Sequence, residues 1–332
     1  MTQKTYRVGI VGAGWMARAM ADDYALVDRA VVHGVVSRTQ ASADSFASDY
    51  GCQVFPSLEA MLADPEIDLI NITTPNQLHH PQARAALEAG KPVLLEKPFT
   101  LNAAEAADLI RLARTQRLFL MEGMWVRFLP LRARLDELLA RNAVGELRLL
   151  RGSFHFHPKF DPASRLFNPE LGGGALLDLG IYPISFAASI FGVAPESIVS
   201  HAHLGASGVD EHFAAILGYP DRGMALVSAG LDGRIKEDVV LYGTLGQIRI
   251  PLVHSWRQER LELIPLEGEA QEIEIPVLGC GYVHQVLEVI RCLDEGLLES
   301  PGMPLDDSLA IMRILDELRA QWGLDFPGEM KV

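Results

Sequence analysis

The sequence is poor in cysteine, in positive charge and in uninterrupted apolar runs, and each shortage removes a class of function. The three cysteines, Cys52, Cys280 and Cys292, are odd in number and follow no metal-ligand spacing. Neither a zinc site nor a disulfide framework is expected, and free thiols in a reducing compartment are. Lysine and arginine number 29 against 43 aspartates and glutamates, a net charge of −14. That balance argues against nucleic acid and against an acidic membrane surface as partners, while leaving room for a local basic pocket. No apolar run approaches the length of a membrane span. Only Met1 to Lys4 precede the first strand pattern, which leaves no room for a signal peptide, so a cytoplasmic protein is expected. There are no repeats and no low-complexity stretches. What remains is 332 residues with 49% hydrophobic and 22% charged content, ordinary for a globular chain and long enough for two domains.

The most informative stretch is Lys91-Pro92-Val93-Leu94-Leu95-Glu96-Lys97-Pro98. Val93 to Leu95 is an apolar run that reads as a strand buried on both faces, as in a parallel sheet. Lys97 follows at its carboxyl end, where open α/β sheets bind ligands. Pro98 biases Lys97 toward an extended backbone. A lysine in this place is either a solvated charge paired with Glu96 or a working group, and the flanking segments decide between the two.

Tyr6 to Val11 reads as a strand, Gly12-Ala13-Gly14-Trp15-Met16-Ala17 as a turn, and Ala17 to Ala25 as a helix. This is a G-x-G-x-x-A pattern between strand and helix. Gly12 permits the tight turn, Gly14 lets the backbone approach a pyrophosphate, and Ala17 allows close helix–strand packing. The alternative is a tight turn with no ligand. The second strand, Val31 to Val36, ends in Ser37-Arg38-Thr39. The acidic residue that would hold the ribose 2′-hydroxyl of NAD is missing there. Arg38 can pair with a 2′-phosphate and stack on adenine, so NADP is the expected cofactor, with NAD possible. Ser57 to Ala63 reads as a short helix and Asp68 to Ile72 as a strand broken by Thr73-Thr74-Pro75-Asn76. A helix from His79 to Ala89 closes at Gly90. Asn102 and Glu105 resemble a capping box for a helix to about Thr115, and Leu118 to Met121 is the last strand of the series. Strands alternating with helices predict a doubly wound parallel sheet over residues 1–123. The loops Gly12–Met16, Thr73–Asn76 and Glu96–Pro98 should meet at one sheet edge, with His79 as a further cofactor contact.

Gly12-Ala-Gly-Trp-Met-Ala, Thr74-Pro75-Asn76-Gln77-Leu78-His79 and Ala89-Gly90-Lys91 through Pro98 resemble the Gfo/Idh/MocA family of oxidoreductases. The resemblance implies an N-terminal Rossmann domain and a C-terminal domain, residues 124–332, built on an open, mainly antiparallel sheet with helices on one face. It also implies that Lys97 reaches both nicotinamide ribose and substrate.

In the second half, Pro130 to about Arg141 has helical spacing and Glu146 to His157 reads as a strand. Phe160 to Pro169, which contains Arg165, reads as a loop. Leu171-Gly172-Gly173-Gly174 then leads into a helical turn that places Asp178 and Tyr182, four apart, on one face. On residues alone, a tyrosine in an apolar segment reads first as a buried core residue, and Asp178 as a cap. The family segment matching Gly172 to Tyr182 carries an acidic residue and a Tyr or His proton donor. Glu122-Gly-Met-Trp-Val-Arg-Phe, Arg165-Leu-Phe-Asn-Pro169 and Gly323-Leu-Asp-Phe-Pro327 are similar to its dihydrodiol dehydrogenase and D-xylose dehydrogenase branch. By this resemblance Lys97, Tyr182 and Asp178 are the catalytic candidates, and Arg165 joins the cofactor contacts. Glu196 to Ile275 alternates short apolar runs with turns and reads as an antiparallel meander, one face of which offers a homodimer contact. Tyr282 to Leu293 and Leu305 to Trp322 read as closing helices. Trp125, Phe154, Phe156 and Trp256 are candidates for an aromatic wall, with Trp125 and Phe154 placed on the substrate. His155 and His157 alternate along a strand but lack a third ligand, so no metal is expected; His201, His203 and His254 are left without a role. The expected activity is hydride transfer between NADP and a sugar, polyol or cyclic trans-diol, and the alternative is a dinucleotide-sensing regulatory protein of the same fold.

Overall fold

The computed structural model describes residues 4–234, 238–252 and 257–330, so the candidates His254 and Trp256 lie outside the described residues. The chain forms two compact units. One is the chain up to Phe128 together with Leu278–Leu309, and the other is Leu129–Val277 with Ala310–Met330.

In the first unit the strands are β1 (Tyr6–Val11), β2 (Ala30–Val36), β3 (Gln53–Val54), β4 (Leu69–Ile72), β5 (Val93–Glu96) and β6 (Leu120–Gly123). They form one parallel sheet in the order β3-β2-β1-β4-β5-β6. The expected doubly wound sheet is present, and its order reverses between β1 and β4, where such sheets open a crevice. Val93, Leu94 and Leu95 are fully buried, as helices on both faces require. The helix Gln40–Tyr50 and the two-residue β3 have no counterpart in the sequence reading. Only Ala43 and Phe46 of that helix are buried, too few for a visible period. Its start is marked by Thr39, whose hydroxyl accepts the Ser42 amide at 3.3 Å. At the helix Ala103–Gln116, Asn102 Oδ1 accepts the Glu105 amide at 3.0 Å and Glu105 Oε2 accepts the Leu101 amide at 3.1 Å.

The segment Leu278–Leu309 completes this unit through a carboxylate. Asp23, buried in the first helix, accepts the Cys280 amide at 2.8 Å and the Val283 amide at 3.0 Å, which caps the helix Val283–Glu295. Asp294, near the end of that helix, takes the Tyr6 hydroxyl at 2.9 Å and the Arg29 guanidinium at 2.6 Å.

The second unit holds β7 (Leu147–His155), β8 (Ser197–Leu204), β9 (Asp210–Gly218), β10 (Met224–Gly230), β11 (Asp238–Gly243), β12 (Gly246–Pro251), β13 (Arg260–Pro265) and β14 (Gln271–Glu274). Their order is β14-β13-β12-β11-β7-β10-β9-β8. The sheet is mainly antiparallel, as expected, but not a simple meander. β7 enters its middle and runs parallel to β10. Alternation is clean along β9: Phe213, Ala215 and Leu217 are buried while His212, Ala214 and Ile216 face outward. The helix Ile181–Phe191 packs on β7 and β10. The helical run Pro169–Phe191 is long and apolar enough to span a membrane by length and composition, a correction to the sequence reading. Most of it is buried within the protein, so it is a core helix under the sheet; the glycines and Asp178 at its start masked its length.

Candidate functional site

At the carboxyl edge of the first sheet, the loops after β1, β4 and β5 follow strands that are direct neighbours. Gly12 has φ +106°, and a Cβ there would stand 2.9 Å from Thr73 Oγ1. Only glycine therefore allows the first loop to lie against the second. Thr73 is fixed in turn, its amide donating to the Val11 carbonyl at 2.9 Å and its hydroxyl to the same oxygen at 3.0 Å. The helix Trp15–Tyr24 begins at Gly14 with no side-chain cap, and a Cβ at Gly14 would meet nothing within 4 Å. An uncapped helix start beside open space fits the pyrophosphate of a dinucleotide. Trp15 is exposed and Met16 half-buried on the same turn. Ser37 and exposed Arg38 follow β2 directly, just before the Thr39 cap, a position suited to the adenosine end of such a ligand.

The loops after β4 and β5 are joined by His79. Its ring is fully buried, with Nδ1 2.8 Å from the Pro98 carbonyl oxygen and Nε2 2.8 Å from that of Thr74. Burial holds the imidazole below its usual pKa, and the nearby Lys97 charge adds to this against the pull of the two carbonyls. A neutral ring donates from one nitrogen only, so each tautomer makes one of the two bonds. His79 is thus a brace between Thr73–Asn76 and Glu96–Pro98, with both nitrogens turned to main chain. Lys97 is half-buried between buried Glu96 and Pro98, and the Lys97–Pro98 peptide is cis. Glu96 lies against β6, with Oε2 3.3 Å from where a Cβ of Gly123 would stand.

Beside this loop lies a group that sequence reasoning missed. Glu122 on β6 pairs in register with Leu95 and is 1% exposed. Neither of its carboxyl oxygens has a hydrogen-bond partner among the described residues. Burial raises its pKa, outweighing Ser308, Arg127, the Phe99 amide and Lys97, all of which favour the ionised form. A carboxyl group next to a catalytic lysine candidate is therefore biased toward its neutral form. The signal was present, since a glutamate inside an apolar strand demands explanation. Arg127 in turn pairs with Asp307 at 2.7 Å.

In the second unit, Asp178 lies on a π-helical turn, Leu176–Gly180, that runs into the helix Ile181–Phe191, and Tyr182 lies at the start of that helix. A π turn is wider than an α turn and recurs at functional sites. The loop before it is tied down by glycine: a Cβ at Gly173 would stand 2.9 Å from each of the carbonyl oxygens of Arg165, Leu166 and Asn168. That fold-back brings Arg165 Nη1 to 2.7 Å from Asp178 Oδ1, so these two candidates form an ion pair. Tyr182 is 5% exposed, and its ring meets Phe154 edge-on, centroids 5.6 Å apart at 63°. Phe156 is exposed. Trp125 is 1% exposed and packs against Tyr282 with ring centroids 5.0 Å apart. His155 Nε2 lies 3.1 Å from the Ser228 hydroxyl and His157 is exposed.

Residues 6–124 match the family described as "Oxidoreductase family, NAD-binding Rossmann fold", and residues 133–249 match "GFO/IDH/MocA C-terminal domain". The chain is 33% identical to the trans-1,2-dihydrobenzene-1,2-diol dehydrogenase of Mus musculus, covering 98% of this chain and 99% of that protein. It is 29% identical to the D-xylose 1-dehydrogenase (NADP(+)) of Hypocrea jecorina, covering 97% of this chain and 93% of that protein. Its fold is similar to that of the aldose-aldose oxidoreductase from Caulobacter crescentus complexed with glycerol, with a TM-score of 0.87, 23% identity, and 96% and 98% coverage. A 3-ketoreductase from Actinomadura kijaniata in complex with NADP and TDP-benzene gives a TM-score of 0.85, 24% identity, and 96% and 98% coverage.

Proposed function

The chain belongs to the Gfo/Idh/MocA oxidoreductase family, and from that premise we propose that it exchanges hydride between NADP and a carbinol carbon of a sugar, polyol or cyclic trans-diol. One observation carries the reading. The loops after β1, β4 and β5 share the sheet edge at the reversal of strand order, with open space at Gly14 and Lys97 at the end of β5. Bound nicotinamide would supply the hydride acceptor or donor. Tyr182 carries the hydroxyl proton, Lys97 favours the phenolate and orients the hydroxyl, and Asp178 holds a neighbouring substrate hydroxyl. Arg165 restrains Asp178 through their ion pair. The names of the relatives put an aldose and an aromatic trans-diol at the head of the substrate series. The experiment is a screen of aldoses, inositols and aromatic trans-diols with NADP and NAD, followed by nicotinamide absorbance. At least one of these classes should be turned over, faster with NADP. If nucleotide binds and no class is turned over, the dinucleotide sensor is the better description.

The cofactor preference rests on Ser37-Arg38 and on the NADP(+) in the name of the xylose relative. Losing a charge-assisted contact to phosphate costs about 1.5–3 kcal/mol, so Arg38→Ala should weaken NADP binding roughly tenfold or more. NAD affinity should hardly change, because NAD has no 2′-phosphate. Equal losses in a titration with both nucleotides would remove Arg38 from phosphate recognition.

A further inference from the structure

We propose that Asp210 is a positioning residue for Tyr182: with Phe213, from the same strand, it clamps the π-helical turn that carries Asp178 and leads into Tyr182. The inference rests on the function proposed for Tyr182 and adds a residue that neither the family motifs nor the sequence patterns single out. Asp210 opens β9 and is fully buried. Its Oδ2 accepts the amide of Leu176, the first residue of the turn, at 2.6 Å. At the other end of the turn, a Cβ on Gly180 would stand 2.5 Å from the Phe213 ring, so the ring lies directly on that backbone. Gly174 seals the arrangement. It has φ +115°, and a Cβ there would stand 2.1 Å from Asp210 Oδ1. Two side chains three residues apart on one strand thus grip both ends of a five-residue turn, and Tyr182 follows two residues beyond it.

The clamp also titrates. Asp210 Oδ1 has no hydrogen-bond partner among the described residues. Burial pushes the carboxyl group up to about 7, against the amides of Leu176, Asp210 itself and Ala175 and against the Arg319 charge. Arg319, on the helix Leu305–Trp322, is committed to Asp316 and Glu329, each at 2.9 Å. Asp178, on the turn itself, is engaged by Arg165. The sign follows from linkage. An opened turn exposes Asp210 to water, where a carboxyl group titrates near ~4, so the closed clamp binds the proton more tightly than the open one. Closure is therefore favoured at low pH and weakens as pH rises through about 7. The neutral carboxyl keeps its acceptor for Leu176 without a buried charge.

The test combines amide hydrogen exchange over residues 174–182 with turnover. In the unmodified protein, protection corrected for intrinsic exchange should fall between pH 6 and pH 8 (roughly one unit either side of the Asp210 midpoint, where the linked proton is lost). Asp210→Asn mimics the neutral acid, so it should keep protection at both pH values and keep turnover. Asp210→Ala should lower protection and turnover about two- to thirtyfold, the span of a lost helix N-cap, with NADPH affinity unchanged. Asp210→Asn rescue of what Asp210→Ala loses is the signature of a positioning acceptor. Protection that is flat with pH in the unmodified protein, or Asn as damaging as Ala, would overturn the clamp. A loosened turn in Asp210→Ala with normal turnover would overturn the positioning role and leave the proposed function standing. If no substrate is found, the exchange measurement still decides the clamp, since it needs no turnover.

Discussion

Tyr182→Phe should lower turnover by about 10²–10⁴-fold, the usual contribution of general acid–base catalysis, and leave NADPH binding intact. Oxidising a carbinol requires its hydroxyl proton to leave with the hydride or close to it. A free tyrosine titrates near ~10 and is a poor base at neutral pH, so the site must favour the phenolate, which an ammonium within about 4–6 Å does. The substitution is clean because it removes one oxygen and no ring. The edge-on contact between Tyr182 and Phe154 survives, as does the buried surface that seats the helix Ile181–Phe191 on β7 and β10. Nucleotide fluorescence should therefore match the unmodified protein. Activity in the oxidative direction should rise with pH in the unmodified enzyme, as the phenol loses its proton, and the Phe variant should lose that rise. A Tyr182→Phe protein with near-normal turnover would take tyrosine out of the mechanism and leave Lys97 or a histidine as proton carrier.

The parts of this fold that sequence made legible are those in which one residue's chemistry fixes its neighbourhood. An apolar run such as Val93 to Leu95 has few places to go except a doubly covered parallel sheet, and Gly12 announces a turn that no side chain fits. Asn102 and Glu105 mark a helix start because a short acceptor and a matching carboxylate leave few other geometries. The helix Gln40–Tyr50 was invisible because its small polar residues give it a thin buried face; Thr39 was its only local sign. Long-range closures were hidden for a different reason. Nothing near Asp23 indicates that it caps a helix beginning at Val283, and nothing in β9 indicates that Asp210 holds the amide of Leu176. The same is true of His79. Its position after Asn76 pointed to the cofactor edge, and nothing local shows that its two ring nitrogens also lie against the carbonyls of Thr74 and Pro98. Buried polar groups such as Glu122 are legible as anomalies, but what surrounds them emerges only once the strands are in register.

Lys97→Met should cost turnover about as much as the tyrosine substitution, about 10²–10⁴-fold, but with a different pH signature. Methionine keeps an unbranched apolar stem of similar length, and the loop is held independently by His79 on the Pro98 carbonyl and by the packing of Glu96 against Gly123. The loop should therefore stay in place while its charge is lost. On the proposed mechanism, residual oxidative activity should move to higher pH once the ammonium is gone; in Tyr182→Phe the dependence disappears instead. Lys97→Arg separates charge from shape. A planar fork cannot reproduce a compact point charge, so the variant should recover part of the pH profile and little of the turnover. Two neighbours supply a readout that does not depend on activity. The Lys97 charge favours ionised Glu122 and disfavours protonated His79. Removing it should leave Glu122 more firmly neutral and raise the proton affinity of His79, visible as a shift in the imidazole titration by NMR. An unchanged His79 titration together with full activity in Lys97→Met would mean that the lysine is only a solvated charge at a strand end.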